Sequence, residues 1–173
     1  MQKLNSLQDI WRRNKVFLVT ALLVIIADQL SKLWIRSNLA LGESIPETGF
    51  FRLTHIQNTG AAFGIFQDHS LILAIIAIIG SVVILFIVLF MYHRFYILNT
   101  ILGKLSLGLI LGGTVGNLID RLRYGGNVTD FIDFSFWPAF NIADSSTVVG
   151  AFLLAYLLIR FTRYSEHSDG KST

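Results

Sequence analysis

The stretch from Gly116 to Asp144, GNLIDRLRYGGNVTDFIDFSFWPAFNIAD, lies between two apolar segments that are each long enough to cross a bilayer. It holds four acids (Asp120, Asp130, Asp133, Asp144), two arginines (Arg121, Arg123) and three asparagines (Asn117, Asn127, Asn141). Apolar surroundings raise the free energy of an ionised carboxylate, so acids beside a membrane are paired, hydrated or in use. The stretch therefore reads as a polar cluster at the end of a helical bundle, and the rest of the chain has to say whether it is a catalytic site, an ion path or a loop.

Composition agrees with a membrane setting. Of 173 residues, 53% are hydrophobic and 14% charged, with a mean hydropathy of +0.61; soluble domains have roughly 45–50% apolar and about 25% charged residues. The net charge of +3 is small and unevenly placed, which reads as membrane topology and not as a nucleic-acid footprint. With no cysteine in the chain, disulfides, thiolate nucleophiles and Cys-ligated metals are excluded. Acid/base chemistry on carboxylates stays open.

Outward from the cluster, four apolar runs qualify as spans, at about 16–35, 71–91, 101–119 and 145–161. Residues 1–15 are polar and basic, and Leu4, Leu7, Ile10 and Trp11 could form one side of a short surface helix. The basic start resembles a signal peptide, but no small-x-small pattern closes it and Asp28 and Lys32 follow, so the first run reads as a retained helix. Asp28 and Lys32 stand four residues apart, share a helix face and can pair. The third span carries Gly108, Gly112 and Gly116 at four-residue steps, a ladder suited to close helix packing.

Between the first two spans, residues 37–68 change character. Glycines and Pro46 punctuate β-branched and aromatic runs such as Phe50 to Ile56, which predicts short strands. The phrase Asn58-Thr59-Gly60-Ala61-Ala62-Phe63-Gly64 allows close backbone approach and, by itself, reads as a tight turn before it reads as a binding loop. The tail from Ser165 to Thr173 is expected to be disordered. The predicted fold is a single integral membrane domain over residues 1–173: an all-α bundle of four transmembrane helices, with a small extracytoplasmic β-sheet between the first and second helices.

Basic residues set the orientation. Lys3, Arg12, Arg13, Lys15, Arg94, Lys104, Arg160, Arg163 and Lys171 fall on the side of the termini, against Lys32, Arg36, Arg52, Arg121 and Arg123 on the other. The positive-inside rule predicts cytoplasmic termini, with the sheet and the polar cluster together on the outer face.

Asp130 stands in a short apolar loop context and Asp144 where a helix enters the membrane. Two carboxylates brought together in a low dielectric share a proton near neutral pH. One can then activate water while the other protonates the carbonyl oxygen or leaving amine, a reaction that needs no cofactor, metal or thiol. The plainer reading of Asp144 is a helix N-cap.

Several phrases together carry a resemblance: Gly116-Asn117-x-x-Asp120-Arg121, Val128-x-Asp130-Phe131 and Phe140-Asn141-x-Ala143-Asp144-Ser145, with Asp28-Gln29-x-x-Lys32 and Gln57-Asn58-Thr59-Gly60-Ala61-Ala62-Phe63 earlier in the chain. In this order, from about Val16 to Gly150, they resemble the lipoprotein signal peptidases (signal peptidase II). The resemblance implies a bacterial inner-membrane aspartyl protease that removes signal peptides from prolipoproteins before a diacylglyceryl-modified cysteine and is inhibited by globomycin. It implies Asp130 and Asp144 as the catalytic dyad and Asn58, Gly60, Asn117, Asp120, Arg121 and Asn141 as substrate-binding or supporting residues. Asp28 and Lys32 would be structural or would back the residues that line the site. Asp133 matches no motif and serves as the comparator. Expected partners are the prolipoprotein substrate and membrane lipid, with no nucleic acid, no metal and no obligate protein partner. An ion transporter would also use intramembrane acids, but these cluster at one boundary; a non-catalytic scaffold would have no use for so many polar residues.

Overall fold

The computed structural model describes residues 7–60, 69–91 and 96–169. Four long helices form the bundle: α1 (Leu7–Asn38), α2 (Ser70–Phe90), α3 (Ile101–Arg123) and α4 (Ile142–Asp169). All four contain stretches long and apolar enough to span; the 21 residues of α2 reach about 31 Å at 1.5 Å per residue, close to the roughly 30 Å of a bilayer's hydrocarbon core. Large apolar side chains such as Leu23, Leu71, Ile79 and Phe152 point outward from the bundle. A surface of that kind suits lipid and not water.

The helices exceed the expected spans. α1 is continuous from Leu7, so the separate surface helix expected near the N-terminus is instead its first turns, and residues 1–6 lie outside the described residues. α4 begins three residues earlier than expected and continues to Asp169, so the part of the tail from Ser165 to Asp169 is helical; residues 170–173 lie outside the described residues.

α3 is the central helix, packed against α1, α2 and α4, and its glycines make that possible. A Cβ on Gly108 would lie 2.8 Å from the Phe17 carbonyl oxygen, and one on Gly112 would lie 2.7 Å from the Val24 Cβ. Gly113, one residue round the helix, faces α4, where a Cβ would collide with the Ala143 carbonyl oxygen and the Thr147 hydroxyl. Phe17, Ala21, Val88, Leu107 and Leu111 fill the core between α1, α2 and α3.

A four-stranded antiparallel sheet in the order β1-β2-β3-β4 covers one end of the bundle. β1 (Ser44–Ile45) and β2 (Phe51–Asn58) follow α1, as expected; β3 (Val128–Phe134) and β4 (Trp137–Phe140) follow α3. The polar stretch that reads as a loop is thus half of the sheet, with Asp130 opposite Ile56 and Val128 opposite Asn58. Gly125 and Gly126, both at positive φ, stop α3 and turn the chain into β3. Ile35 and Leu39 at the end of α1 pack on Phe131, which fixes the sheet to the bundle. Ala61 to Asp68, including the second half of the glycine- and alanine-rich phrase, lie outside the described residues.

Candidate active site

Asp130 comes from β3 and Asp144 from the first turn of α4, and both line one cavity of about 630 Å³ between α2, α3, α4 and the sheet. Asn58, Gly60, Asn117 and Arg121 line it as well, with Trp137 and Phe140 on the wall nearer the sheet. The cavity also touches Ala77 of α2 and Val148 and Val149 of α4. It therefore occupies the space between these two helices, which pack on α3 instead of on each other.

Asparagines link the two carboxylates. Asn141, fully buried, donates through Nδ2 to Asp130 Oδ1 at 2.7 Å and to Asn117 Oδ1 at 3.1 Å. Its own Oδ1 accepts from the Asp144 backbone N–H at 2.9 Å, and its backbone N–H donates to Asp144 Oδ2 at 3.2 Å. This reciprocal pair is a capping box. Asn141 is therefore the cap of α4, and Asp144 is the third helical residue reaching back, not the N-cap that its sequence position also allowed. Asn117 Nδ2 donates to Asp144 Oδ1 at 2.7 Å, and Asn58 Nδ2 donates to Asp130 Oδ2 at 3.0 Å.

The amide of Asn117 has only one orientation that satisfies its neighbours. Lys32 Nζ, a donor with no acceptor capacity, lies 2.8 Å from Asn117 Oδ1. The oxygen must face the ammonium, so the NH₂ faces Asp144. Lys32 also pairs with Asp28 at 2.9 Å, as the four-residue spacing allows, and lies 3.5 Å from Asp120; all three side chains are fully buried. Asp28 Oδ1 accepts from the Ala143 backbone N–H at 3.0 Å and so satisfies one of the free donors at the start of α4. Gly116 leaves room for this carboxylate, since a Cβ there would lie 2.7 Å from Asp28 Oδ2.

Asp120 and Arg121, neighbours in sequence, serve different places. Asp120 faces away from the cavity, to Lys32, Arg36, Gln29 and the Thr129 backbone N–H. Arg121 lines the cavity, donates to the Gly60 carbonyl oxygen at 3.1 Å and interacts through its charge with Asp144, Asp130 and Asp120. Asp133 is paired with Arg52 across β2 and β3 and does not line the cavity. Gln29, which bridges Asp28, Asp120 and the Gly116 carbonyl, stands in the motif Asp28-Gln29-x-x-Lys32, which by itself assigns it no role. Arg36 and Thr129 are not among the site residues singled out from sequence; Arg36 continues the four-residue series of Asp28 and Lys32, a signal that could have found it.

Burial, and after it the charge of Asp144, pushes the Asp130 carboxyl up to about 7, against the opposing pull of Asn58, Asn141 and Lys32. A carboxyl poised there can hold or release a proton at neutral pH. Among the described residues no group of three or more His, Cys, Asp or Glu side chains is placed to hold a metal ion.

Four spans, an end-on sheet and two aspartates bridged by one asparagine define a multi-pass membrane protein with a pair of carboxyl groups at one end of its bundle. The family model described as signal peptidase (SPase) II matches residues 20–160, and the chain belongs to that family, a family of proteases. The lipoprotein signal peptidase of Dehalococcoides mccartyi is 47% identical over 161 residues, covering 93% of this chain and 97% of the relative. That of Moorella thermoacetica is 44% identical over 144 residues, covering 83% and 92%. A solved bacterial membrane enzyme, determined by the in meso method at 2.3 Å, superposes with a TM-score of 0.72 at 31% identity and covers 84% of this chain and 88% of its own. A second, at 1.9 Å, gives 0.67 at 32% identity over 82% and 91%.

Proposed function

We propose that this protein is an aspartic endopeptidase that removes the signal peptide from prolipoproteins, cutting before a diacylglyceryl-modified cysteine. The observation that carries the reading is the pairing of Asp130 and Asp144: two carboxylates from separate elements, both bonded to Asn141, both open to one cavity. The names of the relatives supply the substrate class. In the reaction, the pair holds one proton. The ionised carboxylate takes a proton from water as it attacks the peptide carbonyl, while the protonated one donates to the carbonyl oxygen. As the C–N bond breaks, the carboxyl that gained the water's proton passes it to the leaving amine and the other takes its proton back from the gem-diol. Asn58, Asn117 and Asn141 hold the carboxylates against rotation, and Arg121 offers positive charge where the oxyanion develops.

The same geometry accounts for a lipid-anchored substrate. The cavity reaches the space between α2 and α4, where its wall is apolar, so a transmembrane signal peptide can enter sideways from the bilayer while its scissile bond meets the polar end. The distribution of basic residues supports an orientation with both termini cytoplasmic and the sheet on the outer side, and the membrane in this reading is the bacterial inner membrane. Globomycin is expected to compete for the cavity.

Purified protein in liposomes, given one prolipoprotein with and without its diacylglyceryl group, tests the function. Cleavage before the cysteine of the modified form alone is the expected result. Equal cleavage of both forms, or of neither, refutes the substrate assignment.

A further inference from the structure

Arg36 lies on α1 one turn beyond Lys32, mostly buried, and makes three contacts that converge on the strand bearing Asp130. Its Nη1 donates to the Thr129 hydroxyl at 2.9 Å and lies 3.4 Å from Asp120 Oδ2, and its guanidinium sits 4.4 Å from the centre of the Tyr124 ring. The same Asp120 oxygen accepts from the Thr129 backbone N–H at 3.0 Å. Thr129 is thus held by its side chain from α1 and by its backbone from α3. Tyr124, at the turn out of α3, supplies the surface on which the guanidinium rests.

Successive side chains on a strand point to opposite faces. With the Thr129 side chain tied to the α1 side, that of Asp130 must project the other way, into the cavity where Asn58 and Asn141 receive it. A slip of β3 by one residue would exchange these faces and take the carboxyl out of the site. We infer that Arg36 is a positioning residue for the proteolytic reaction, which fixes the register and depth of β3 through Thr129 and Asp120 and so sets where the Asp130 carboxyl stands relative to Asp144. Lysine would keep the charge but not the flat, forked donor set that reaches Thr129 while stacked on Tyr124.

This inference rests on the aspartate-dyad reading, and the controls separate the two. Steady-state cleavage of a diacylglyceryl-modified prolipoprotein in liposomes is measured for Arg36→Met, Thr129→Val, their combination, Arg36→Lys and, on the same strand pair but outside the cavity, Arg52→Met. The folded fraction of each is measured by thermal unfolding in detergent. Arg36→Met and Thr129→Val are each expected to lower kcat by roughly 10- to 100-fold, as a misplacement of about 1 Å can, with KM within about twofold. The double variant should be no worse than the poorer single one, Arg36→Lys should recover part of the loss, and Arg52→Met should keep the parental kcat. An unchanged kcat in Arg36→Met, losses that multiply in the double variant, or losses that match the unfolded fraction would each overturn the assignment. Activity retained in Asp130→Asn would instead strike at the dyad itself.

Discussion

The Asp130 carboxyl sits among opposing influences: burial and the charge of Asp144 favour its protonated form, while Asn58, Asn141 and Lys32 favour the anion. The proposed reaction needs one proton shared by the pair; raising the pH through about 7 removes it, and kcat/KM should then fall about tenfold per pH unit above the limb. A second proton at low pH gives the acid limb, so the profile is a bell. Asn58→Leu removes a hydrogen bond that favours the anion, and so moves the alkaline limb to higher pH. Cleavage rates measured across the pH range check both points; a flat profile, or a limb moved downward in Asn58→Leu, contradicts them. At this scale the sequence was informative about pairs and silent about orientation. Asp28 and Lys32 share a helix face by spacing, whereas the side chains that partner Asp120 lie more than 80 residues away on α1. Nothing local distinguishes an aspartate that turns inward from an arginine beside it that turns to the cavity.

Elements place these residues through close approach. The glycine ladder of α3 was legible because small residues at four-residue steps have one common use, and Gly108 and Gly112 meet α1 as that spacing suggests. Gly113, which the ladder does not include, brings α3 against Ala143 and Thr147, so it sets the distance from Asn117 to Asp144. Gly113→Ala should push α4 outward, lowering the thermal unfolding temperature of the solubilised protein and reducing cleavage. Gly80→Ala on α2, where a Cβ meets nothing within 4 Å, should leave both unchanged. Equal behaviour of the two variants would refute this account of α3–α4 packing. β3 and β4 were hidden for a physical reason. Asp130 and Asp133 interrupt the apolar pattern of VTDFIDF, and the strand that pairs with it, β2, precedes it by some 70 residues. The paired β2 supplies partners for both acids, Arg52 for Asp133 and Asn58 for Asp130, the latter beside the bond from Asn141.

Across the whole molecule, two polar layers meet at one end of an apolar bundle. The inner layer of Asp28, Gln29, Lys32, Arg36 and Asp120 is closed, its charges matched among themselves and to backbone donors at the start of α4 and β3. The outer layer of Asn58, Asn117, Arg121, Asp130 and Asp144 opens to the cavity. Burying a matched set costs far less than burying single charges, and removing one member leaves the rest uncompensated. The bundle thus supplies a rigid floor for a site whose other walls face the sheet and the space between α2 and α4. Spans, their number and the strands after α1 follow from hydropathy and turn residues; the division of the polar residues into a closed and an open layer needs the helices in place. The most direct test of the account is the initial rate of prolipoprotein cleavage in liposomes by Asp130→Asn, Asp144→Asn and Asp133→Asn, each verified as folded. The account predicts that each of the first two lowers kcat by at least about 10³-fold, while Asp133→Asn, whose carboxylate pairs with Arg52 outside the cavity, remains active. Parental activity in either Asp130→Asn or Asp144→Asn would contradict it.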